Sequence, residues 1–194
     1  MAHVDTLGAV VAEIKSNGRL RLSPVGGFNA NNAEAHNCRV YTYDGQIYEG
    51  TIQLADASLH VNKEYSTTQR TFQSVEVVLD EPVTSKDDVK ALGITNGCFV
   101  CADPNLVVTN SGYIKSRFLD DKLSAAILLG YAKYIRENNI TPLRKVYQHM
   151  TVFEEVGHGA CASIPEDVTE LLSVDMGCVG DGLECTERQV SICA

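Results

Sequence analysis

The stretch TVFEEVGHGA, residues 151–160, runs from apolar residues directly into two carboxylates and then into glycine. The preceding run KVYQHMTVF, residues 145–153, is rich in β-branched and aromatic residues and predicts a strand. Glu154 and Glu155 would therefore stand side by side at the carboxyl end of a buried strand. Two like charges repel, and their burial is costly unless a cation lies between them. The stretch therefore predicts a cation site at the end of this strand.

The sequence around this strand has the pattern of an α/β protein from about residue 115 onward. Residues 120–139, DDKLSAAILLGYAKYIRENN, predict a helix that is apolar nearly all round in its first half and is therefore buried. Pro142 cannot continue this helix and marks its end. The pattern also predicts a short helix and two strands, at PEDVTELL (165–172), LLSVD (171–175) and QVSICA (189–194).

The chain before residue 111 consists of short strands. Asn17-Gly18 and Asp44-Gly45 are strong hairpin signals between alternating runs. Ser85 is a plausible N-cap of a short helix within VTSKDDVKALGI, residues 83–94. The predicted strands are AVVAEI (9–14), RLRLSPV (19–25), CRVYTY (38–43), QIYEGTIQL (46–54), SVEVVLD (74–80), CFVCAD (98–103) and LVVTN (106–110). Short strands at regular spacing favour a small barrel or sandwich.

Composition limits the classes of protein. The 194 residues suffice for one large domain or for a domain that carries a smaller inserted one. The net charge is −9 without a long basic run, which argues against nucleic acid as the main partner. No apolar stretch of about 18 residues predicts a membrane helix, and the amino terminus lacks a secretory signal, so we expect a cytoplasmic protein. The Cys98-x-x-Cys101 spacing is interpreted as a strand with two buried thiols.

Ligand-type side chains follow several short apolar segments. They are His3 and Asp5 in AHVDTLG, Asp120 in FLDDKLSAA, Glu154 and Glu155 in FEEVGHG, and Asp175 in SVDMG. In open α/β sheets, the carboxyl ends of the strands converge on one crevice. Carboxylates combined with imidazole suit Zn²⁺, Mn²⁺ or Co²⁺ rather than Ca²⁺ or a thiolate zinc site. Glu155 can then bind a metal while Glu154 stays available to take a proton from metal-activated water.

The motifs AHVDTLG, RFLDDK, FEEVGHGA and SVDMG resemble, in order and spacing, those of the M42 family of dinuclear-metal aminopeptidases. The runs IKSNGRLRLSPVGGF and LGITNGCFVCAD resemble the strand-rich insert of that family. The resemblance implies a three-layer α/β metallopeptidase domain at residues 1–5 and 111–194. It also implies an inserted PDZ-like β-barrel at residues 6–110, which serves in dimerisation or oligomerisation. Segments of the family before its histidine motif and after Asp175, including a fifth ligand, are expected to be absent from this chain.

The same resemblance implies which residues bind the two divalent ions (Zn, Co or Mn). His3 and Asp175 would bind one ion, Glu155 would bind the other, and Asp120 would bridge them. Asp120 is preferred to Asp121 because the position after the bridging Asp is often Asn in such families. Spacing alone leaves this choice open.

The implied reaction is removal of amino-terminal residues from peptides. A metal-bridged hydroxide would attack the peptide carbonyl, with Glu154 as the general base and Asp5 orienting the ring of His3. The expected partners are a peptide substrate and further copies of the chain, with neither nucleic acid nor membrane.

Other interpretations remain open. Asp120-Asp121 could merely cap a helix, Asp175 could cap a turn, and His158 is interpreted as a pocket residue near the site rather than as a ligand. The chain could be an inert fragment or an interaction module of such a peptidase, or an M20-type amidohydrolase that acts on acylated amino acids. A glycosidase would need two carboxylates without metal, which the His3 and Asp175 motifs argue against.

Overall fold

A computed structural model describes residues 1–161 and 164–192 of the chain. They form two compact units. The barrel unit is Leu7–Arg117, and the α/β unit combines Met1–Thr6 with the described residues from Phe118 onward. The barrel unit is therefore inserted in the sequence of the α/β unit.

The described secondary structure is a mixture of strands and helices. In chain order, the strands are β1 (Ala2–His3), β2 (Gly8–Ile14), β3 (Leu20–Val25), β4 (His36–Tyr41), β5 (Ile47–Leu54), β6 (Val75–Leu79), β7 (Phe99–Ala102), β8 (Val107–Val108), β9 (Ile114–Lys115) and β10 (Met150–Thr151). The helices are α1 (Lys86–Ala91) and α2 (Leu119–Glu137), and 3-10 turns occur at Ala30–Asn32 and Glu154–Val156.

Six strands of the barrel unit close into a barrel in the order β2-β3-β6-β5-β4-β7, with every neighbouring pair antiparallel. Gly18 and Gly45 have φ of +80° and +87° and turn the β2–β3 and β4–β5 hairpins. Alternate side chains fill the interior, which is lined by Leu20, Leu22, Val40, Ile52, Val77 and Val100. The predicted barrel is confirmed.

The short helix α1 follows the predicted N-cap. The Ser85 side chain accepts a hydrogen bond from the N–H of Asp88 (3.2 Å), and the Asp88 carboxylate accepts one from the N–H of Ser85 (2.9 Å). This reciprocal capping satisfies two of the amide donors at the helix start. Cys98 is buried just before β7, whereas Cys101 within β7 is half-buried, so the prediction of two buried thiols is correct only for Cys98.

The α/β unit has less regular structure than the sequence pattern predicts. The strand expected at residues 145–153 is confined to β10, which pairs in parallel with β1. Because β1 offers only two residues, the pairing extends no further. No helix or strand forms at residues 165–175 or at 189–192, and the final residues of the predicted 189–194 strand lie outside the described range.

The predicted burial of the long helix is wrong. Only Asp121, Ser124 and Ala125 of α2 are buried, while Ile127 and Leu129 are 54% and 61% exposed. The helix packs against the two-residue strand β1, so only its first turns are covered. Neither described helix is long and apolar enough to cross a membrane.

Candidate metal centre

The candidate site lies where β1 and β10 end. His3 pairs with Thr151 in the parallel register, and the N–H of Val4 donates to the carbonyl oxygen of Thr151 (3.0 Å). Because parallel strands present their carboxyl ends at the same edge, the residues that follow them meet there. Asp5 follows β1, and the Glu154–Val156 turn follows β10.

Two further segments contribute acids. The first turn of α2 contains Asp120 and Asp121, which have non-helical dihedral angles and are joined by a cis peptide bond. The N–H of His3 donates to Oδ2 of Asp121 (3.2 Å). The N–H of Val174 donates to the carbonyl oxygen of Met1 (2.9 Å), and this bond places Asp175 beside β1.

The ring of His3 is at the centre of these acids. It is only 2% exposed, and its Nε2 lies 3.1 Å from Oδ1 of Asp120, 3.6 Å from Oε2 of Glu154 and 3.9 Å from Oδ2 of Asp175. One ring nitrogen thus faces three carboxylates within 4 Å, an arrangement that suits a cation between them.

Asp5 contacts the other side of the same ring. Nδ1 of His3 lies 3.2 Å from the carbonyl oxygen of Asp5 and 3.3 Å from its Oδ1. Oδ2 of Asp5 accepts a hydrogen bond from the N–H of Glu155 (3.1 Å). Asp5 therefore connects the end of β1 to the turn that carries the paired glutamates.

The titration of the site reflects crowded negative charge. Burial lowers the pKa of His3, but the hydrogen bond with Asp120 and the charges of Asp175, Glu154 and Asp5 outweigh it and raise this pKa overall. Burial, followed by the charge of Asp120, raises the pKa of Glu155 although the neighbouring imidazole opposes the shift. Perturbed groups of this kind cluster at functional sites.

The donors form two groups that could each hold a metal ion. One is His3, Asp120 and Glu155, and the other is His3, Asp121 and Asp175, with the ligand atoms of each group within 4.8 Å of one another. Imidazole nitrogen and carboxylate oxygen are suitable donors for Zn²⁺, Mn²⁺ or Co²⁺. The donor set therefore fits a divalent ion.

The structure brings together all six residues that the sequence suggested. Glu154 lies near His3 but belongs to neither three-residue group. His158, also outside both groups, is exposed and lies 3.8 Å from Sγ of Cys161 through its Nδ1. Asp121 was set aside in favour of its neighbour, and only adjacency at a helix start could have drawn attention to it.

A cleft of about 250 Å³ adjoins these groups. It is lined by Met1, Ala2, His3, Thr151, Glu154, Gly157, Gly159, Ala160, Ser173 and Asp175. The cleft therefore gives a small ligand access to His3, Glu154 and Asp175 together.

Comparison with known proteins gives a consistent result. A family model described as M42 glutamyl aminopeptidase matches residues 1–194. Over 192 residues the chain is 44% identical to the putative aminopeptidase YhfE of Bacillus subtilis (strain 168), covering 99% of this chain and 56% of that protein. It is 23% identical to the lysyl aminopeptidase of Pyrococcus furiosus, over 80% of this chain and 43% of that protein. The chain spans about half the length of these curated relatives.

Two solved structures that align with the chain are named as peptidases. Aminopeptidase APDkam598 from Desulfurococcus kamchatkensis aligns with a TM-score of 0.64 and 25% identity, over 80% of this chain and 40% of that one. The TET1 peptidase of Pyrococcus horikoshii aligns with a TM-score of 0.62 and 25% identity, over 80% and 45%. That peptidase can assemble into a tetrahedron or a large octahedral shell.

Proposed function

Because this chain belongs to the M42 glutamyl aminopeptidase family, we propose that it acts as a metal-dependent aminopeptidase on the free amino termini of peptides. The observation that carries the proposal is the position of His3, whose Nε2 lies within 4 Å of three carboxylates from separate segments. Structural ion pairing does not explain this arrangement, because the acids outnumber the single imidazole.

Four residues are proposed to hold two divalent ions: His3, Asp120, Glu155 and Asp175. His3 and Asp175 would hold one ion, Glu155 would hold the other, and Asp120 would contribute to both. When bound, the ions supply Lewis acidity that activates water and polarises the scissile carbonyl group. Asp120 suits the bridging role because its Oδ1 is 3.1 Å from His3 while its side chain also belongs to the group with Glu155.

Glu154 is proposed to be the general base. Its carboxylate is half-exposed in the cleft, and it belongs to neither metal-binding group. It can therefore accept a proton from the attacking water and deliver it to the leaving amine. Asp5 is proposed to orient the ring of His3 from the side of Nδ1, which lies at hydrogen-bonding distance from its carbonyl oxygen (3.2 Å) and 3.3 Å from its Oδ1.

Two substitutions test these roles. Glu154→Gln should reduce turnover of aminoacyl anilides by about 10²–10⁴-fold, as loss of a general base does, while metal content by elemental mass spectrometry stays at the wild-type level. Glu155→Ala should lower both turnover and metal content. Full activity of Glu154→Gln would show that the proposed mechanism is wrong.

The same assay separates the alternative functions. An M20-type amidohydrolase would cleave N-acylated substrates and spare those with a free amino group, whereas the proposed enzyme does the opposite. An inert fragment or interaction module would bind one ion or none and cleave neither class. We further propose that the enzyme is cytoplasmic. We also propose that its catalytic unit has the three-layer architecture of the family and that its barrel is PDZ-like.

The barrel unit is proposed to mediate assembly with further copies of the chain. The sequence motifs assign residues 6–110 to this role and residues 1–5 and 111–194 to catalysis, whereas the barrel unit itself spans Leu7–Arg117. On the outer face of the barrel, Val10 pairs with Phe99, Phe99 with Tyr41, and Tyr41 with Ile47, giving an apolar row across four strands. Phe99 and Ile47 are more than half exposed. A second copy is the favoured occupant because relatives of the same fold assemble with themselves.

Light scattering can test this assembly. Phe99→Asp should reduce the molar mass of the wild-type oligomer, because it places a charge in the centre of the apolar row. Val61→Asp is the control, since Val61 is also apolar and is 79% exposed but lies outside the row. A monomeric wild-type chain, or an unchanged oligomer of Phe99→Asp, would count against the row as the interface.

A further inference from the structure

Asp121 is a buried acid that the proposed mechanism does not use. Its side chain lies at the start of α2 and is 0% exposed. Oδ2 accepts a hydrogen bond from the N–H of His3 (3.2 Å). Oδ1 is buried and has no hydrogen-bond partner among the described residues. A buried carboxylate with an unpaired oxygen is costly unless a positive charge compensates it.

The neighbouring Asp120 has a different environment. Its side chain is 56% exposed, and it groups with His3 and Glu155. Asp121 instead offers a carboxylate oxygen within 4.8 Å of the ligand atoms of His3 and Asp175. The two consecutive carboxylates are thus divided between the two candidate ion positions. The position that the proposed roles assign to His3 and Asp175 therefore has an additional buried negative charge beside it.

We propose that Asp121 is a positioning residue for the ion that His3 and Asp175 bind, an inference that rests on the proposed function. Through Oδ2 it holds the backbone of His3 at the end of β1. Through its charge it stabilises the divalent ion, which in turn compensates the carboxylate that burial would otherwise destabilise. Asp120 keeps its role as a metal ligand. Asp121 contributes a buried negative charge beside the ion without binding it directly.

This proposal has a consequence that a purely structural role lacks. Removing the charge should weaken metal binding but should not destabilise the metal-free protein, because burial of the carboxylate is costly there and the charge of the partly buried amino terminus of Met1 offsets this cost only in part. A residue that only supports the fold would act in the opposite way, since its loss would lower the stability of the metal-free protein first.

The test is Asp121→Asn, which keeps an oxygen to accept the N–H of His3 and removes the charge. Zn²⁺ affinity is measured by competition with a chelator of known affinity, and the thermal midpoint is measured on metal-free protein. We expect one of the two sites to bind Zn²⁺ about 10–100-fold more weakly, with a metal-free midpoint that is unchanged or higher. Asp87→Asn is the control, because the Asp87 side chain is 93% exposed and lies in the barrel unit.

Each other outcome overturns the proposal. Wild-type affinity in Asp121→Asn would show that the charge does not act on the ion. A lowered metal-free midpoint, or a variant that does not fold, would show that Asp121 supports the fold instead. If the wild-type chain itself binds no Zn²⁺, the proposed function fails together with this inference. That result is distinguishable because it appears before any substitution is made.

Discussion

His3 determines the geometry of the candidate site because both of its ring nitrogens face carboxylates. Nδ1 contacts Asp5, and Nε2 faces acids from α2, from the turn after β10 and from the segment beside β1. Its backbone N–H donates a hydrogen bond to a fifth acid, Asp121. A buried imidazole with such neighbours is fixed in orientation before any ion binds, which is what a metal ligand requires.

At Gly159, a glycine keeps the proposed general base in place. A Cβ at this position would lie 3.0 Å from Cβ and 3.1 Å from Cα of Glu154, closer than ordinary packing allows. Gly159→Ala should therefore shift Glu154 by a few tenths of an ångström and lower kcat by about tenfold, with unchanged metal content. The check is steady-state kinetics beside elemental analysis. Gly130→Ala, whose Cβ meets nothing within 4 Å, should keep wild-type kcat.

Cys38 should be inert towards alkylation in the folded protein. Burial, reinforced by the charges of Asp103 and Asp80, raises the pKa of its thiol to about 12. Because the thiolate is the reactive form, its population stays small from pH 7 to pH 9. Mass spectrometry after iodoacetamide treatment should find the exposed Cys161 and Cys178 modified and Cys38 unmodified until denaturant is added. Modification of Cys38 at the same rate as Cys161 would contradict this expectation.

A buried acid on β6 forms ion pairs with the β2–β3 hairpin of the barrel. Glu76 is 3% exposed and accepts hydrogen bonds from Nζ of Lys15 (2.5 Å) and Nη1 of Arg19 (2.6 Å). The same guanidinium donates to the carbonyl oxygen of Ala55 (3.0 Å). One carboxylate thereby connects the hairpin to β6 and, through Arg19, to the chain after β5.

Removal of this carboxylate should destabilise the barrel. Glu76→Ala should lower the free energy of unfolding by about 1.5–3 kcal/mol, since a hydrogen bond to a charged group contributes this much to stability. Lys15 and Arg19 remain partly exposed and can be solvated, which limits the loss. Urea unfolding provides the measurement. Glu13→Ala removes the exposed partner of Arg21 and should have little effect; equal effects of the two substitutions would refute the special role of Glu76.

For the whole molecule, the candidate site combines chain segments that the barrel unit separates in sequence. His3 and Asp5 precede the barrel unit, and Asp120 and Asp121 follow it. Nevertheless, Nε2 of His3 lies 3.1 Å from Oδ1 of Asp120, and the backbone N–H of His3 donates to Oδ2 of Asp121 (3.2 Å). A ligand that binds them together therefore stabilises the folded arrangement against the unfolded chain, in which they are far apart.

Metal should consequently raise the thermal midpoint of the protein. An ion at 100 times its dissociation constant stabilises the folded state by about 2.7 kcal/mol when it does not bind the unfolded state. Differential scanning calorimetry with increasing Zn²⁺ should show a midpoint that rises with concentration. Glu155→Ala should show a smaller rise, and an identical rise in both proteins would exclude the candidate site as the source.

The sequence by itself determined the features that depend on neighbouring residues. The Asn17-Gly18 and Asp44-Gly45 turns, the Ser85 cap and the alternation of the barrel strands are local, because φ > 0 at glycine, side-chain capping and period-two burial are encoded within a few positions. Ligand-type residues after short apolar segments were also recognisable, and with the family resemblance they gave six of the seven residues that the structure brings together, the exception being Asp121.

Only the tertiary structure decided what depends on distant parts of the chain. Three features differ from the local pattern: α2 is largely exposed, residues 145–153 form only the short strand β10, and residues 165–175 have no regular structure. Each depends on whether other parts of the fold cover the segment or pair with it. The buried position of Asp121 beside the backbone of His3 is likewise a contact between residues 118 positions apart. Local sequence specifies turns and periodicity, whereas burial and the environment of a charge are set by groups that only folding brings into contact.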